Sequence, residues 1–193
     1  MQDFGSINWR SRGYLPHFDA EGVQQHIIIG LADAISYEII ESDTVKRLWL
    51  FDEALDRGAG ECVLATPRCA SIVQNELLHH DGDRYRLLAW CVMPNHVHIV
   101  ADRVQDLPGT VRRWKTWTTR QINAVVGREG GLWKREYFER FARSEHHLQT
   151  MIHYVEQNPV VAGLVATASD WEWSSAGYRK SAGQAPGGPR LPK

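Results

Sequence analysis

The sequence predicts an α+β domain in which helices cover an antiparallel sheet, with elements in the order βαββαβ. Three observations predict this class. The chain has 193 residues, enough for one domain with its own core. Hydrophobic residues make up 43% and charged residues 23%, as in ordinary globular domains. Short runs rich in β-branched residues alternate with capped helical patterns, with one tight hairpin at the centre.

The first part of the chain predicts an extension, a strand and two helices. Residues 1–24 form the expected N-terminal extension, and residues 1–19 should be irregular because glycines and a proline interrupt them. Residues 25–31 read QHIIIGL, a short β-rich run that predicts a strand. A helix is expected from Asp43 or Thr44 to about residue 57. A second helix should begin at Thr66-Pro67 and end near residue 79.

A β-hairpin is predicted in the middle of the chain. Residues 85–92 read YRLLAWCV, a nearly continuous apolar run typical of a strand that is covered on both faces. Met93-Pro94-Asn95 then predicts a turn, because proline cannot donate to a central ladder and asparagine tolerates turn geometry. Residues 96–100 return as the partner strand.

The last part predicts a helix, a strand and a final helix. A helix should run from Pro108 to about residue 126, followed by an extended segment over residues 132–143. The final helix should begin at Ser144 and end or kink before Pro159, because the residue before a proline disfavours helical backbone. We expect residues 25–165 to be the main domain and residues 166–193 to be a tail that is partly disordered.

Composition excludes several classes of protein. The longest apolar stretch, near residues 27–34, is far shorter than the roughly 20 residues of a membrane span. No apolar signal region stands near the start of the chain. Cys62, Cys69 and Cys91 form no CxxC pair and are odd in number. These features favour a reducing, cytoplasmic setting and no contact with membranes.

Charge is segregated along the chain, although the formal net charge is only −1. Residues 1–102 hold 8 Lys/Arg against 15 acidic residues, whereas residues 103–143 hold 10 against 4 and also carry several aromatic rings. Cations interleaved with flat rings are typical of proteins that bind single-stranded nucleic acid. A solvated helix face paired with the acidic half is the alternative on charge alone. The candidate phosphate contacts are Arg112, Arg113, Lys115, Arg120, Lys134 and Arg135.

Two histidines stand two residues apart in the second strand of the hairpin. Side chains at i and i+2 of a strand share a face, so His96 and His98 should lie side by side, with Val97 and Ile99 turned to the opposite face. Two imidazoles on one rigid strand form a natural half of a metal site. A structural role for the pair is the alternative, although two imidazoles in an apolar strand require polar partners.

Tyr154 and Asn158 lie one turn apart on the final predicted helix and therefore share a face. An asparagine oxygen suits Mg²⁺ or Mn²⁺, and a phenol beside a divalent cation can lose its proton and attack phosphorus. The spacing alone equally allows a packed tyrosine ring and a helix-ending asparagine. His153 and Glu156 are close in sequence but point away from Tyr154 on a helix, so we do not assign them as bases.

Several segments resemble the REP-associated tyrosine transposases, relatives of the single-tyrosine HUH insertion-sequence transposases. They are MPNHVH, WKTWTTRQIN, LWKREYFERFAR, YVEQNPVVAGLV and WEWSSAGYR, preceded by GYLPHFDAEGVQQHIIIGLAD. The resemblance covers about residues 13–178, and its specific part is HxH followed by YxxxNP. Two positions depart from the family pattern. Gly30 stands where many members have arginine, and Thr116-Trp117 stands where many have serine and phenylalanine.

The resemblance implies a fold, a site and an activity. The fold would be the ferredoxin-like HUH domain, with the histidine pair on a central strand. His96 and His98 would bind a divalent metal, Mg²⁺ or Mn²⁺, with Asn158 as third ligand and Tyr154 as nucleophile. The substrates would be single-stranded DNA hairpins of repetitive extragenic palindromes with a short flanking guide sequence. A monomer or homodimer would cleave and rejoin them through a 5′-phosphotyrosine.

Two other functions compete with this interpretation. A non-catalytic protein or repressor could keep the hairpin-binding surface without cutting DNA. A zinc-dependent hydrolase could use the same histidines with a carboxylate or a third histidine and a bound water, and Asp102 is the nearest carboxylate candidate on that strand. RNA is a further possible substrate, because the same cations and rings serve either polymer.

Overall fold

The structure is a computed structural model and describes residues 8–11, 16–19, 23–34, 50, 53–55 and 57–183. Within the helix expected near residues 44–57, the described residues 50 and 53–55 are helical, and the rest of that prediction lies largely outside the described residues. The predicted disordered end of the tail also lies outside them.

A two-stranded antiparallel sheet precedes the main domain. Strand β1 (Asn8–Ser11) pairs with β2 (Pro16–Asp19), with Asn8 opposite Asp19. The prediction that residues 1–19 are irregular is therefore wrong. Strands of four residues are too short to show a clear alternating pattern, whereas the glycines and the proline around them dominate the local sequence signal.

The central sheet has four antiparallel strands in the spatial order β4-β5-β3-β6. Its strands are β3 (Gln25–Gly30), β4 (Arg86–Val92), β5 (His96–Asp102) and β6 (Phe138–Phe141). Strands β3 and β5 lie in the middle, and every residue of both is buried. This order, with the helices described next, confirms the predicted βαββαβ arrangement of a ferredoxin-like fold.

Besides the helical residues 50 and 53–55 and two short 3-10 helices (Val63–Ala65 and Ala168–Asp170), the structure describes four α-helices, and three of these begin at a capping side chain. They are α1 (Pro67–His79), α2 (Leu107–Val126), α3 (Glu145–Val161) and α4 (Ser175–Ser181). The side chains of Asp106, Ser144 and Ser174 accept backbone N–H groups in the first turns of α2, α3 and α4. None of the helices that the structure describes is long and apolar enough to cross a membrane.

The two faces of the sheet carry separate apolar clusters. Val97 and Ile99 of β5 belong to the larger cluster, together with Trp114 of α2 and residues of α1. Residues of β4 and β5 on the other face pack against Met151 and Val155 of α3. The predicted alternation along β5 is confirmed, because Val97 and Ile99 lie in the layer under α1 and α2.

Helix α3 continues past Pro159, whereas the sequence predicts an end or a kink before it. The proline stands in the last turn, so the one helical hydrogen bond that its missing N–H removes is near the end of the helix. Hydrogen bonds close the helix beyond it: Ala162 N donates to the Asn158 carbonyl at 2.9 Å, and Leu164 N donates to the Pro159 carbonyl at 2.9 Å. Asn158 therefore keeps helical geometry and lies one turn after Tyr154.

Residues 171–175 pack along β4, although the sequence predicts a tail from residue 166. Val92 N donates to the Trp173 carbonyl at 2.8 Å, and Trp171 Nε1 donates to the Val92 carbonyl at 3.0 Å. Trp90 N donates to Ser175 Oγ at 3.3 Å. The sequence signal is weak here because the glycines and prolines that follow suggest disorder for the whole segment.

Lys115 of α2 holds the segment that leads into β6. Its Nζ donates to the carbonyls of Lys134, Arg135 and Glu136 at 2.8, 3.1 and 3.1 Å. An ammonium group has three N–H donors, so these three bonds use all of them. Burial lowers the pKa of Lys115 to about 8, and nearby Glu136 partly opposes this shift. The structure therefore gives Lys115 a role in the fold, while its predicted phosphate contact would require breaking these bonds.

The substitution Lys115→Met should destabilise the protein, because it leaves three carbonyls without their donor. We expect the free energy of unfolding to fall by about 1–3 kcal/mol, measured by urea denaturation at neutral pH. Arg120→Met removes an exposed cation from the same helix and should change stability by less than about 0.5 kcal/mol. Equal effects of the two variants would contradict this role for Lys115.

Candidate active site

The predicted histidine pair lies between the sheet and α3. His96 and His98 are 1% and 0% exposed, and their Nε2 atoms are 2.8 Å apart. Gly30 of β3 stands opposite His96 across the sheet. The pair is thus fully enclosed, which makes its polar partners important.

Helix α3 brings the other two predicted residues to the same place. The ring centroid of Tyr154 is 5.9 Å from that of His98, with the rings nearly perpendicular. Asn158 is 2% exposed, and its Nδ2 is 3.2 Å from His98 Nε2. The four residues predicted from the sequence, His96, His98, Tyr154 and Asn158, therefore converge.

A third buried imidazole, His26 of β3, belongs to the site. Its Nε2 is 3.1 Å from His98 Nδ1, and the two rings stack with centroids 5.3 Å apart. Ile28 stands opposite His98 in the sheet, which makes His26 its diagonal neighbour on the same face. The sequence does carry a signal for this residue, although we did not predict it as part of the site: a histidine stands near the start of an otherwise apolar buried strand.

Arg140 of β6 connects His26 with the tyrosine. Its Nε donates to His26 Nδ1 at 3.1 Å, and its Cζ is 5.9 Å from the centroid of the Tyr154 ring. From the sequence, Arg140 is only one of the cations of the basic segment. Its place in the site follows from the pairing of β6 with β3, where Arg140 stands opposite His26.

Asn95 holds the other end of the histidine pair. Its Oδ1 is 2.7 Å from His96 Nδ1, while its Nδ2 donates to the carbonyls of Leu55 and Ala59 at 3.0 and 3.1 Å. These two carbonyls fix the orientation of the amide, so Oδ1 must accept a hydrogen bond from the N–H at His96 Nδ1. His96 Nε2 then presents a lone pair. The sequence predicts Asn95 only as a turn residue.

The side chains present fit a divalent cation. The Nε2 atoms of His96 and His98 are 2.8 Å apart, close to the spacing of about 3 Å for two neighbouring ligands of one metal. Asn158 Oδ1 is buried and has no hydrogen-bond partner. A half-turn of that amide brings this oxygen to face His98, which satisfies the orphaned atom and provides a hard oxygen ligand.

A carboxylate is missing from this donor set. Over the described parts of the chain, no group of three His, Cys, Asp or Glu side chains is arranged to hold a metal ion. Asp102 lies four residues beyond His98, where both its oxygens pair with Arg86. The carboxylate considered for a zinc hydrolase is therefore part of an ion pair at the far end of β5.

Burial keeps the imidazoles of His26 and His98 neutral. It lowers the pKa of His98 to about 3, with a smaller contribution from the positive charge of Arg140. The pKa of His26 is also well below its usual range, because of burial first and then the charges of His98, Arg140 and His96. Neutral imidazole is the form that binds metals.

The neighbours of Tyr154 on α3 do not act as its bases in this arrangement. Glu156 Oε1 accepts hydrogen bonds from Ser175 Oγ at 2.7 Å and Arg179 at 2.6 Å, and so joins α3 to α4. His153 is exposed. Both observations agree with the sequence pattern, which gives neither residue this role.

Three of the six candidate phosphate contacts line one groove. Arg112 and Arg135 line a groove of about 370 Å³ between the start of α2 and the segment before β6, together with Lys115 and Tyr137. Both arginines are exposed. This groove brings together three cations of the basic segment, while the Tyr137 ring beside them is 7% exposed.

The other three cations lie elsewhere. Arg113 is exposed beside α1. The pKa of His80 is lowered mainly by burial and then by nearby positive charges, of which Arg113 is a minor one. Arg120 is exposed further along α2. Lys134 is half-buried, and burial lowers its pKa. A role of these residues in DNA binding stays a prediction.

Comparison with known proteins gives two sequence matches. Residues 67–158 match the family model described as Transposase IS200 like. A stretch of 103 residues is 29% identical to a Haemophilus influenzae protein that is provisionally named as a REP-associated tyrosine transposase. This match covers 47% of the chain and 58% of that protein, so the chain matches little more than half of the relative's length.

Solved structures give two further matches. One is described as a REP-associated tyrosine transposase bound to a REP hairpin; it is 18% identical, with a TM-score of 0.56 over 93% of this chain and 88% of that chain. A provisionally named transposase from Deinococcus radiodurans is also 18% identical, with a TM-score of 0.38 over 77% of this chain and 96% of that chain. Only the first is similar enough to support the fold.

The stretch that is similar to the IS200-like transposases is just under half of the chain, and it contains His96, His98, Tyr154 and Asn158. The similarity to a REP-associated tyrosine transposase extends over 47% of the chain. The predicted α+β fold is confirmed by the sheet order and by the superposition on the hairpin-bound structure.

The stability of the metal-free protein should fall as the pH drops below about 6.5, the ordinary pKa of histidine. His26 and His98 have lowered pKa values in the folded state. Below pH 6.5 the unfolded chain therefore binds protons that the folded chain excludes, and folding becomes less favourable. Each such histidine contributes about 1.4 kcal/mol per pH unit in this range. Urea denaturation in chelator at several pH values measures the slope.

A matched pair of variants separates these histidines from other titrating groups. His26→Asn should reduce the slope by the contribution of one histidine, whereas His153→Asn changes an exposed histidine and should leave it unchanged. An equal slope in wild type and His26→Asn would show that His26 does not titrate differently in the two states.

Proposed function

We propose that the protein is a metal-dependent, single-stranded DNA endonuclease and strand transferase that acts on hairpins of repetitive extragenic palindromes. One observation carries the proposal. The ring of Tyr154 lies 5.9 Å from that of His98, and Asn158, one turn later, contacts the same imidazole. The residues proposed as the nucleophile and as the metal ligands therefore lie together between β5 and α3.

The choice of substrate is supported by relatives and by charge. A solved structure with the same fold is described as bound to a REP hairpin, and the curated relative carries the corresponding name. In this chain, Arg112 and Arg135 are exposed at one groove. Exposed cations of this kind can contact the phosphates of a hairpin.

The metal site uses nitrogen and oxygen atoms of this chain. His96 and His98 would hold Mg²⁺ or Mn²⁺ through Nε2, and Asn158 would do so through its amide oxygen. A cation bound there would polarise the scissile phosphate and offset the charge that develops on it. Asn95 keeps His96 in the tautomer with a lone pair on Nε2, which is the ligating form.

Tyr154 performs covalent catalysis in this scheme. Its Oη attacks the phosphorus in line, the bond between phosphorus and the 3′-oxygen breaks, and a 5′-phosphotyrosine forms. The phenol loses its proton to solvent, and the departing 3′-oxygen takes one up to become a hydroxyl. Because the number of phosphoester bonds is unchanged, a 3′-hydroxyl can later attack the phosphotyrosine, rejoin a strand and restore the phenol without ATP.

The substitution Tyr154→Phe should abolish cleavage and the covalent adduct while leaving hairpin binding intact, because it removes only the attacking oxygen. A labelled hairpin incubated with Mn²⁺ and analysed on a denaturing gel shows both products. Tyr178→Phe makes the same change at an exposed tyrosine of α4 and should cut normally.

Three other outcomes of this experiment would overturn parts of the proposal. Cleavage by Tyr154→Phe would remove Tyr154 as the nucleophile. Cleavage in chelator, or by His96→Ala, would remove the metal. Tight hairpin binding with no cleavage by the wild type under any divalent metal would favour a non-catalytic hairpin-binding protein or repressor.

Hairpin affinity should fall steeply with salt if the groove contacts phosphates. Each lost contact to a single strand should lower the slope of log affinity against log salt by about 0.7, so Arg112→Gln and Arg135→Gln should each show this loss in fluorescence titrations. Arg68→Gln removes an exposed cation from α1 and serves as the control. A slope unchanged by all three substitutions would show that this groove is not the interface.

A further inference from the structure

A continuous line of hydrogen bonds crosses the site from β6 to the backbone near the hairpin turn. Arg140 Nε donates to His26 Nδ1 at 3.1 Å, and His26 Nε2 is 3.1 Å from His98 Nδ1. His98 Nε2 is 2.8 Å from His96 Nε2, and His96 Nδ1 is 2.7 Å from Asn95 Oδ1. Each imidazole uses both ring nitrogens in this line.

The two ends of the line determine where the protons are. A guanidinium can only donate, so His26 Nδ1 must accept from Arg140, and the single proton of a neutral His26 is on Nε2. At the other end, carbonyls can only accept. Asn95 gives both of its N–H groups to Leu55 and Ala59, so its oxygen accepts the Nδ1 proton of His96.

The position of the proton on His98 follows from its three neighbours. His26 donates to Nδ1 of His98, and His96 offers a lone pair to Nε2. With the Asn158 amide turned so that its oxygen faces Nε2, Asn158 accepts there as well, so the proton of His98 is on Nε2. All three rings are then neutral, as their burial favours. His96 is therefore ready to bind a metal, whereas His98 carries its proton on the nitrogen that would be the ligand.

We propose that Arg140 and His26 together control metal binding by His98, and that a divalent cation bound at the pair displaces the Arg140 guanidinium from His26. This inference rests on the proposed function. For His98 Nε2 to bind a metal, the proton of His98 must move from Nε2 to Nδ1. There it forms a hydrogen bond in which His26 Nε2 is the acceptor. The proton of His26 then moves to Nδ1, where it faces the N–H of Arg140. No proton is gained or lost, but two donors cannot share that contact.

The displaced group stays beside the nucleophile. Arg140 Cζ lies 5.9 Å from the Tyr154 ring, and β6 pairs with β3 along the whole of its length, so the backbone of Arg140 cannot move far. Metal binding at one end of the line thus repositions a positive charge at the other end, next to Tyr154. In this scheme Arg140 and His26 are positioning residues, which act on the chemistry through His98 and Tyr154.

Nitrogen-15 NMR of the full chain with labelled histidines tests the inference directly. In chelator, we expect protons on Nδ1 of His96 and on Nε2 of His26 and His98, with signals assigned through single His→Asn variants. With saturating Mg²⁺, the protons of His26 and His98 should both appear on Nδ1. A proton on Nδ1 of His98 in chelator, or a His26 signal that stays unchanged when Mg²⁺ shifts the His96 signals, would overturn the inference.

The same experiment separates this inference from the proposed function. If Mg²⁺ changes neither the His96 nor the His98 signals, the metal site itself is absent, which contradicts the proposed function and with it the displacement of Arg140. The tautomers measured in chelator would still confirm or refute the donor line by themselves.

Metal affinity provides a second, independent measurement. Arg140→Gln replaces a group that can only donate by an amide that can also accept a hydrogen bond from His26. Metal binding then leaves no donor unsatisfied, so Mn²⁺ should bind about tenfold more tightly, the factor that corresponds to one unsatisfied buried donor. Arg143→Gln removes an exposed charge two residues beyond β6 and controls for the loss of a positive charge. Isothermal calorimetry with Mn²⁺ alone measures both. Equal gains in the two variants, or no gain in Arg140→Gln, would contradict the role of Arg140.

Discussion

The structure depends on the burial of polar rings between a central sheet and one helix. Three imidazoles and an amide are buried at a position where apolar side chains could pack without any hydrogen bonds. Because these groups are polar, each of them needs a hydrogen-bond partner. Arg140 and Asn95 supply obligate donors and acceptors at the two ends, and apolar contacts of Met151 and Val155 hold α3 over the cluster. Packing by α3 and the hydrogen bonds beneath it therefore stabilise one another, and the geometry of the candidate site follows from both.

Positive charge is divided between two tasks in this fold. Lys115 joins α2 to the approach of β6 through three carbonyls, while Arg112 and Arg135 remain exposed at the groove beside it. A charge-rich segment thus contains both structural and solvent-facing cations. Arginine suits the second task because its planar group can contact phosphates through two N–H donors at once.

The sequence predicts those site residues that are close to one another along the chain. It does not predict contacts that depend on the register between strands far apart in the sequence. His96 and His98 are separated by one residue and Tyr154 and Asn158 by one helical turn, so local periodicity places each pair on one face. The contacts of His26 with His98 and Arg140 span 72 and 114 residues, and no local pattern encodes them. The same limit explains why the sequence does not predict the packing of residues 171–175 on β4.

The packing of residues 171–175 on β4 affects whether two copies of the protein can pair through the edges of their sheets. Strand β4 is at an edge of the sheet, and an uncovered edge offers backbone groups to any passing strand. Trp173 and Ser174 cover this edge beside Cys91 and Val92. They therefore prevent a strand of another molecule from pairing with β4 at these residues. A shortened chain that stops at residue 165 would uncover both this edge and the Trp90 ring, which Tyr178 contacts with ring centroids 5.5 Å apart, and would leave β4 open to pairing with a strand of another molecule.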